Sequence, residues 1–198
     1  AVIDGLLAYD RRHGWRGPIQ TNNLKKLFVV GGLQPAEVTA VYDKKIDAKL
    51  RNNETLTIDW ENMSWARPYI NVNRVGPSPK TAHDIVKVGD LIRTRQKADG
   101  KWELLQVPAV QGQLIALDAD SGAVEALVGG FDYTTSKFNR VTQGWRQAGS
   151  TFKPFIYSAA LERGYSPASI VNDSPMTFGE GKTAWQPNNS DGEFLGAI

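Results

Sequence analysis

The stretch "VKVGDLIRTRQKADGKWELLQV", residues 86–107, predicts a β-hairpin. Two runs rich in strand-forming residues flank Ala98, Asp99 and Gly100, and these three residue types favour the tight turn between antiparallel strands. Because the chain is predicted to reverse direction within a few residues, this stretch indicates an antiparallel β module.

Similar short β-rich pieces lie upstream, from about Gln20 onward. They are "LKKLFVVGG", "EVTAVYDKKIDAKL" and "ETLTIDW", and the hairpin contributes "DIVKVGDLIRTRQ" and "KWELLQVPAV". In "ETLTIDW" every second residue is apolar, which is the period of a half-buried strand. The apolar positions are Leu56, Ile58 and Trp60, and the polar ones are Thr55, Thr57 and Asp59. About five short strands predict a small barrel, and "VGPSPKT", residues 75–81, is predicted to be a loop inside it.

Different patterns precede and follow this β-rich module. At the N-terminus, "AVIDGLLAYDRRHG" predicts an amphipathic helix that stops at Gly14. Its apolar side consists of Val2, Ile3, Leu6, Leu7 and Tyr9. After about Ala109, "QLIALDADSGAVEALVGG" predicts a second hairpin that turns at residues 118–122. We expect its strands to be largely buried and to begin a second core.

A second helix is predicted for "STFKPFIYSAALERG", residues 150–164. Its apolar stripe at helical spacing consists of Phe152, Phe155, Ile156, Ala159 and Ala160. Gly164 fits the position that ends a helix in the left-handed conformation. Ser150 therefore stands at a helix start, with Lys153 three residues later.

The composition limits the classes of function. The chain has 198 residues, 41% of them hydrophobic, which is typical of one or two globular domains. With 23 basic and 21 acidic residues the net charge is +2, too small a surplus to indicate binding to nucleic acid or to an anionic membrane. There is no cysteine, so disulfides, thiolate metal sites and cysteine nucleophiles are excluded. No apolar run is long enough for a membrane span, so we expect any anchor to lie outside this chain.

Ser150 and Lys153 have the spacing of a nucleophile and its base. A serine hydroxyl becomes a good nucleophile when a neighbouring base takes its proton, and a lysine three residues later on a helix reaches the same face. A lysine that acts as a base near neutral pH needs a lowered pKa, which requires burial or a second cation. Gly149 would let a substrate approach the backbone, and the helix dipole would favour a developing oxyanion.

The spacing alone does not establish catalysis. A chain of this length contains on the order of one Ser-x-x-Lys match by chance, and in the simplest interpretation Ser150 caps the helix while Lys153 is solvated. Pro154 also disfavours the helical conformation at Lys153. The first turn is therefore expected to be irregular, or the regular helix to begin at the proline.

The chain resembles a known family through several longer strings. These are "YDRRHGWRGP", "MSWARPYINVNRVGPSPKT", "ALDADSGAVEALVGGFDY", "SKFNRVTQGWRQAGSTFKPFIYSAALERG" and "SIVNDSP". They resemble the transpeptidase region of bifunctional class A penicillin-binding proteins, of the 1a type of Gram-negative bacteria. The resemblance implies that Ser150 is the nucleophile that attacks D-Ala-D-Ala stem peptides of peptidoglycan, that Lys153 is the proton acceptor, and that β-lactams acylate Ser150.

The same resemblance implies the domain organisation and the fold class. The chain is expected to be a multidomain α+β protein in which a small all-β OB-like barrel is inserted before the N-terminal part of an α/β serine transpeptidase domain of the penicillin-binding and β-lactamase type. Residues 1–18 would be a helix and linker of the transpeptidase region, residues 19–108 the insert, and residues 109–198 a truncated start of the transpeptidase domain.

Two further family motifs, Ser-x-Asn and Lys-Thr-Gly, do not occur in their expected places. "KTA" at residues 182–184 follows Ser150 too soon, and "SDG" at residues 190–192 lacks the asparagine. The chain starts without methionine and stops on "EFLGAI", so we expect it to be an excerpt of a longer protein, with Ser-x-Asn shortly after Ile198. We therefore predict that these residues alone acylate poorly or not at all.

The resemblance also implies partners and a location. No cofactor is expected. The implied partners are peptidoglycan stem peptides, β-lactams as covalent inhibitors and, through the insert, an outer-membrane lipoprotein activator. No nucleic acid partner is expected, and the membrane is reached only through an anchor outside this chain. The implied location is the periplasmic side of the inner membrane, in a protein that also carries a glycosyltransferase domain.

Two other functions stay open at this point. A serine β-lactamase shares the Ser-x-x-Lys helix, although it lacks a β module before the nucleophile. An OB-like binding module with an inert Ser/Lys pair would use exposed aromatic residues, of which the segment offers Trp60, Trp65, Tyr69 and Trp102. We expect most of these to be packing residues. His13 and His83 lie far apart and without carboxylates at ligand spacing, so no metal site is predicted.

Overall fold

The predicted N-terminal helix is present as α1 (Val2–Arg12) in the computed structural model, which describes residues 1–21 and 23–198. Leu6 and Leu7 are buried on its apolar side, and Val2 and Ile3 pack against them. Tyr9, at 38% exposed, lies outside this stripe. By its internal packing the chain divides into two units, residues 1–144 and residues 145–198.

The described residues of the first unit form nine strands, five of which make one antiparallel sheet. In chain order they are β1 (Gln34–Val41), β2 (Lys45–Leu50), β3 (Thr55–Asp59), β4 (Tyr69–Asn71), β5 (Arg74–Val75), β6 (Leu91–Gln96), β7 (Trp102–Leu105), β8 (Leu114–Leu117) and β9 (Val124–Val128). The sheet has the order β3-β2-β1-β6-β7, and its two edge strands approach each other. The pairing of β1 with β2 is irregular between Val38 and Ala40, and such an irregularity helps a sheet to bend. The sheet therefore curls into a nearly closed barrel.

The barrel interior is filled by the alternating apolar residues. In β3, Leu56 and Ile58 point inward and the three polar positions point outward, as predicted. The other fully enclosed members include Ala36, Ile46, Ala48, Met63, Ala82, Ile92 and Leu104. Trp60, Trp65 and Trp102 pack against this core, which confirms that most of the candidate aromatic residues have a packing role. The predicted hairpin is β6–β7, and its turn includes Gly100 at φ +82°.

Two details of the β-rich module differ from the prediction. "LKKLFVVGG" forms no extended strand: Leu24–Lys26 is a single 3-10 turn, and Val30 pairs only with Leu33 through an isolated bridge. The reason is local, because Gly31 and Gly32 both have positive φ and reverse the chain before a strand can develop. The sequence reading also missed the short hairpin β4–β5, which precedes the predicted loop.

The second hairpin forms, but the prediction that its strands are buried is wrong. Strands β8 and β9 pair antiparallel across the predicted turn. Leu117 and Val124 are each more than half exposed, since the two strands form a separate two-stranded sheet. Their apolar sequence is typical of strands covered on both faces, and within the described residues these faces are largely open.

The second unit, residues 145–198, consists of one helix and short irregular pieces. Helix α2 (Lys153–Glu162) is followed by β10 (Asn172–Asp173) and β11 (Gly196–Ala197), which pair antiparallel. Gly164 ends the helix as predicted, at φ +89°, with its amide bonded to the Leu161 carbonyl at 3.0 Å. None of the residues in this unit is buried. Across the part of the chain that is described, no helix combines the length and the apolar character required to cross a bilayer.

Candidate active site

Ser150 lies in a 3-10 turn, Gly149–Phe152, that leads directly into α2. The turn begins at Gly149, whose φ of +56° falls in the left-handed region that glycine adopts without strain. The Thr151 amide donates to the Ala148 carbonyl at 3.3 Å, and the Lys153 amide donates to the Ser150 carbonyl. The backbone therefore fixes Ser150 one turn ahead of Lys153, at the N-terminal end of a helix.

The irregular first turn predicted from Pro154 is present, whereas the expected loss of the helical conformation at Lys153 is not. The first turn is irregular, of the 3-10 type, and the regular helix begins at Lys153, one residue before the proline. Lys153 has φ −56° and ψ −39°, so it is helical despite the proline that follows. A proline so early in a helix removes an amide that has no partner within the helix anyway, which explains why it is tolerated here.

The side chains of Ser150 and Lys153 are both exposed to solvent. Among residues 1–21 and 23–198, neither the Ser150 hydroxyl nor the Lys153 amine takes part in a side-chain hydrogen bond. The structure thus brings the two residues to adjacent turns without forming the Ser/Lys contact that proton transfer requires. Such contacts are often loose in the absence of substrate, so the arrangement is compatible with a base that engages later.

The stretch of sequence that precedes Leu161 is basic. Between Tyr133 and Leu161 the sequence has basic residues and no aspartate or glutamate. The basic residues are Lys137, Arg140, Arg146 and Lys153. None of them enters an ion pair within the described part of the chain, so their charge is not neutralised locally. Within the second unit, Arg146 and the positive end of the α2 dipole favour an anionic ligand or transition state near Ser150.

The apolar side chains of α2 are open to solvent. The rings of Phe152 and Phe155 lie 5.7 Å apart, and Phe155, Ile156 and Tyr157 are all more than half exposed. A nucleophile needs a water-excluding pocket to stabilise a developing charge strongly. The described residues supply the turn and the helix of such a site, and they leave its surroundings open.

The near-matches to the other motifs lie in turns. Lys182 belongs to a 3-10 turn, Gly181–Thr183, which is flanked by an isolated pairing of Phe178 with Trp185. Ser190 precedes a turn at Gly192, whose amide bonds to the Asn189 carbonyl at 3.0 Å. Neither residue lies on a strand, which agrees with rejecting "KTA" and "SDG" as the missing catalytic motifs.

The two histidines are placed separately. His13 stacks on Tyr9 with ring centroids 4.0 Å apart, and its Nδ1 lies 2.8 Å from the Tyr9 carbonyl oxygen. His83 belongs to the 3-10 turn Ala82–Asp84. Over residues 1–21 and 23–198, no group of three histidine or acidic residues has the arrangement of a metal site.

The sequence reading missed a buried polar network that connects α1 with both ends of the barrel. Asp10, only 2% exposed, accepts two hydrogen bonds from the Arg16 guanidinium, at 2.7 and 3.0 Å, and one from the Ala109 amide at 3.1 Å. Gln106 accepts from the Arg16 amide and donates to the Gly14 carbonyl. Arg16 and Gln106 lie 90 residues apart, and Asp10 and Ala109 lie 99 apart, so no local pattern could have indicated these two contacts.

Two family models match the chain and together cover most of it. The model described as "Penicillin-binding protein OB-like domain" matches residues 9–110. The model described as "Penicillin binding protein transpeptidase domain" matches residues 112–196, which include Ser150 and Lys153. The barrel and the Ser150 helix therefore fall in different matched regions.

Individual relatives are similar over the whole chain. Penicillin-binding protein 1A of Pseudomonas aeruginosa is 44% identical over 210 residues, which is 100% of this chain and 26% of the relative. Penicillin-binding protein 1A of Escherichia coli is 40% identical, over 100% of this chain and 25% of the relative. The crystal structure of penicillin-binding protein 1A from Haemophilus influenzae matches with a TM-score of 0.66 and 38% identity, over 100% of this chain and 30% of that one. The chain thus spans about a quarter of the length of these sequence relatives.

Proposed function

Because this chain belongs to the penicillin-binding protein family, we propose that it carries the nucleophile of a serine-type D-Ala-D-Ala transpeptidase that cross-links peptidoglycan. Ser150 is the proposed nucleophile and Lys153 the proposed proton acceptor. The observation that carries this proposal is the position of Ser150 in a turn at the start of α2, inside the region that matches the transpeptidase model.

The proposed reaction has two acyl-transfer steps. In the first, the Ser150 oxygen attacks the carbonyl of the penultimate D-alanine, its proton passes to Lys153, and the terminal D-alanine leaves with that proton on its amine. In the second, an amine of a neighbouring stem peptide attacks the acyl-enzyme, and Ser150 regains a proton. A β-lactam would open on Ser150 by the first step alone, because its leaving amine stays attached and the second step is blocked.

Three features of the described residues support this chemistry. Gly149 has open space where a side chain would project, so a substrate carbonyl can approach the backbone next to Ser150. The N-terminal end of α2 supplies the positive end of its dipole for the developing oxyanion. The basic residue Arg146, in the same unit, complements a peptide that ends in a carboxylate, as a D-Ala-D-Ala stem does.

The rest of the proposed assignment rests on the family. We propose residues 1–18 as a helix and linker of the transpeptidase region, residues 19–108 as the OB-like insert, and residues 109–198 as the start of the transpeptidase domain. Ser-x-Asn and Lys-Thr-Gly motifs, a glycosyltransferase domain and an inner-membrane anchor are proposed to lie in the full-length protein. The proposed location is the periplasmic side of that membrane, with an outer-membrane lipoprotein activator as partner of the insert.

Covalent labelling of the full-length protein with fluorescent penicillin tests the proposal. We expect one label per protein, lost in Ser150→Ala and retained in Ser190→Ala, a matched control in the same unit. Lys153→Ala should slow labelling by about a hundredfold or more, since a general base contributes roughly that much. No label on the intact protein, or a label that survives Ser150→Ala, would overturn the assignment. A label that is lost again within minutes would instead favour a β-lactamase.

A further inference from the structure

Phe131 is the one buried residue between Ala109 and Ile198, all of which are described. It is only 3% exposed. The side chains that enclose it come from α1, from the barrel turn at residues 30–33 and from the end of β7: Leu6, Leu7, Val30, Leu33 and Leu105. The segment after β9 is therefore inserted into a core that the helix and the barrel build together.

The contact between this segment and the barrel is close and directional. A Cβ atom on Gly31 would lie 2.4 Å from the Phe131 ring, so the ring packs against bare backbone. The Gly31 amide donates a 2.8 Å hydrogen bond to the Asp132 carboxylate, and the Phe131 amide donates to the Gln111 side chain at 2.9 Å. Packing and hydrogen bonds thus hold the same two residues, and we call Gly31, Phe131 and Asp132 the joint.

From the joint, hydrogen bonds continue along the chain as far as Gln143, within the first unit. The Arg140 amide donates to the Gly129 carbonyl at 3.1 Å. Asn139 and Gln143 are bonded twice, through the Gln143 amide at 2.8 Å and through the Gln143 side chain at 2.7 Å. The Asn139 side chain also accepts the Val141 amide at 3.0 Å. Residues 129–143 are therefore tied into one folded loop, and Ser150 follows it seven residues later in sequence.

We propose that Phe131 and Asp132 are positioning residues for acylation, and that the joint is where the barrel fixes the loop leading to Ser150. This inference rests on the proposed function, because the effect is read at Ser150. Coupling between distant sites travels through packed side chains and hydrogen bonds that hold a segment in one arrangement, and the joint is such a contact. Nothing else in residues 109–144 is buried, so no other packed side chain can take over its role.

The test compares acylation rates of full-length variants at a temperature where each is folded. Phe131→Ala should lower the second-order rate constant for fluorescent penicillin by roughly 5- to 30-fold, and Phe131→Leu should restore most of it. Ile58→Ala is the matched control, because Ile58 is fully buried in the barrel core and does not belong to the cluster around Phe131. It should weaken the barrel and leave the rate unchanged.

A second readout and a second pair of variants keep the outcomes distinct. Hydrogen exchange of residues 129–143 should rise in Phe131→Ala and not in Ile58→Ala, and this readout does not depend on Ser150. If Phe131→Ala fails to fold, Asp132→Ala and Asp132→Asn test the proposal instead. Asp132→Ala should be acylated more slowly than wild type. Asp132→Asn keeps an acceptor for the Gly31 amide, so its acylation rate should be close to that of wild type. Equal acylation rates and equal hydrogen exchange in all variants would overturn the proposed role of the joint. If the wild-type protein takes no penicillin label but hydrogen exchange of residues 129–143 still rises in Phe131→Ala, the proposed function is overturned and the joint is not.

Discussion

The barrel and the segment that carries Ser150 are built in opposite ways. The barrel encloses apolar side chains completely, such as Ile46, Ile58 and Leu104, which have no exposed surface. Residues 145–198 enclose none, and Trp145 in that segment is 95% exposed. Both regions have a similar supply of large apolar residues, so composition does not explain the difference. What differs is whether the described residues provide a second layer to pack against.

This contrast separates local from global determinants of the candidate site. Gly149, Pro154 and Gly164 set the turn, the helix start and the helix end through backbone rules that need no core. The chemistry proposed at Ser150 needs more than this backbone, since an activated lysine and an oxyanion pocket both require water to be excluded. The backbone of the site is thus specified within these residues, while its environment is not.

A buried isoleucine and an exposed one test this contrast with the largest expected effect. Ile58→Ala should lower the free energy of unfolding by about 2–5 kcal/mol, because it leaves a cavity in a closed core. Ile156→Ala, in α2, should change it by less than about 0.5 kcal/mol, since Ile156 is 55% exposed. Urea denaturation of this chain measures both. Similar losses in the two variants would show that residues 145–198 have a core of their own.

The sequence predicted the parts of the molecule that depend on short-range patterns. The alternation at Leu56 and Ile58, the turn at Gly100 and the irregular turn before Pro154 are all present. These features depend on residue types within a few positions of one another, so a single sequence contains their determinants.

Burial was predicted less well, because it depends on what covers a face. The apolar strands β8 and β9 were expected to be buried and are exposed, since nothing in the strand sequence states whether a covering layer is present. The burial of Phe131 and Asp10 was missed for the converse reason: Gly31 and Ala109, their partners, lie about a hundred residues away. The catalytic role of the Ser/Lys pair stays a prediction that rests on family resemblance, because the spacing alone does not distinguish the pair from a helix cap.

A buried and an exposed aspartate of α1 provide a second test, with a smaller expected effect on the free energy of unfolding. Asp10→Ala should destabilise the first unit by about 2–3 kcal/mol, because Arg16 loses its partner in a partly buried position. Asp4→Ala is the control on the same helix, since Asp4 also pairs with an arginine, Arg95, but is 66% exposed. That variant should cost less than about 1 kcal/mol. Thermal unfolding measures the two, and equal losses would mean that burial of the pair is irrelevant.

The smallest effect concerns pH and the joint that holds the loop after β9 to the barrel. Burial raises the pKa of Asp132, but hydrogen bonds from Thr134 and from the Gly31 amide lower it more, so it lies below the ordinary aspartate value of about 3.9. A lowered folded pKa contributes stability above the unfolded value, and this contribution is lost as the pH falls through the folded pKa. Asp132→Asn should therefore be slightly less stable than wild type at pH 6, by a fraction of a kcal/mol because Asp132 is only partly buried, and the difference should shrink as the pH falls through the folded pKa. Urea midpoints of the two proteins across this range measure it, with other carboxylates cancelling in the comparison. A difference that stays constant down to pH 2 would mean that the charge of Asp132 plays no part in holding the loop to the barrel.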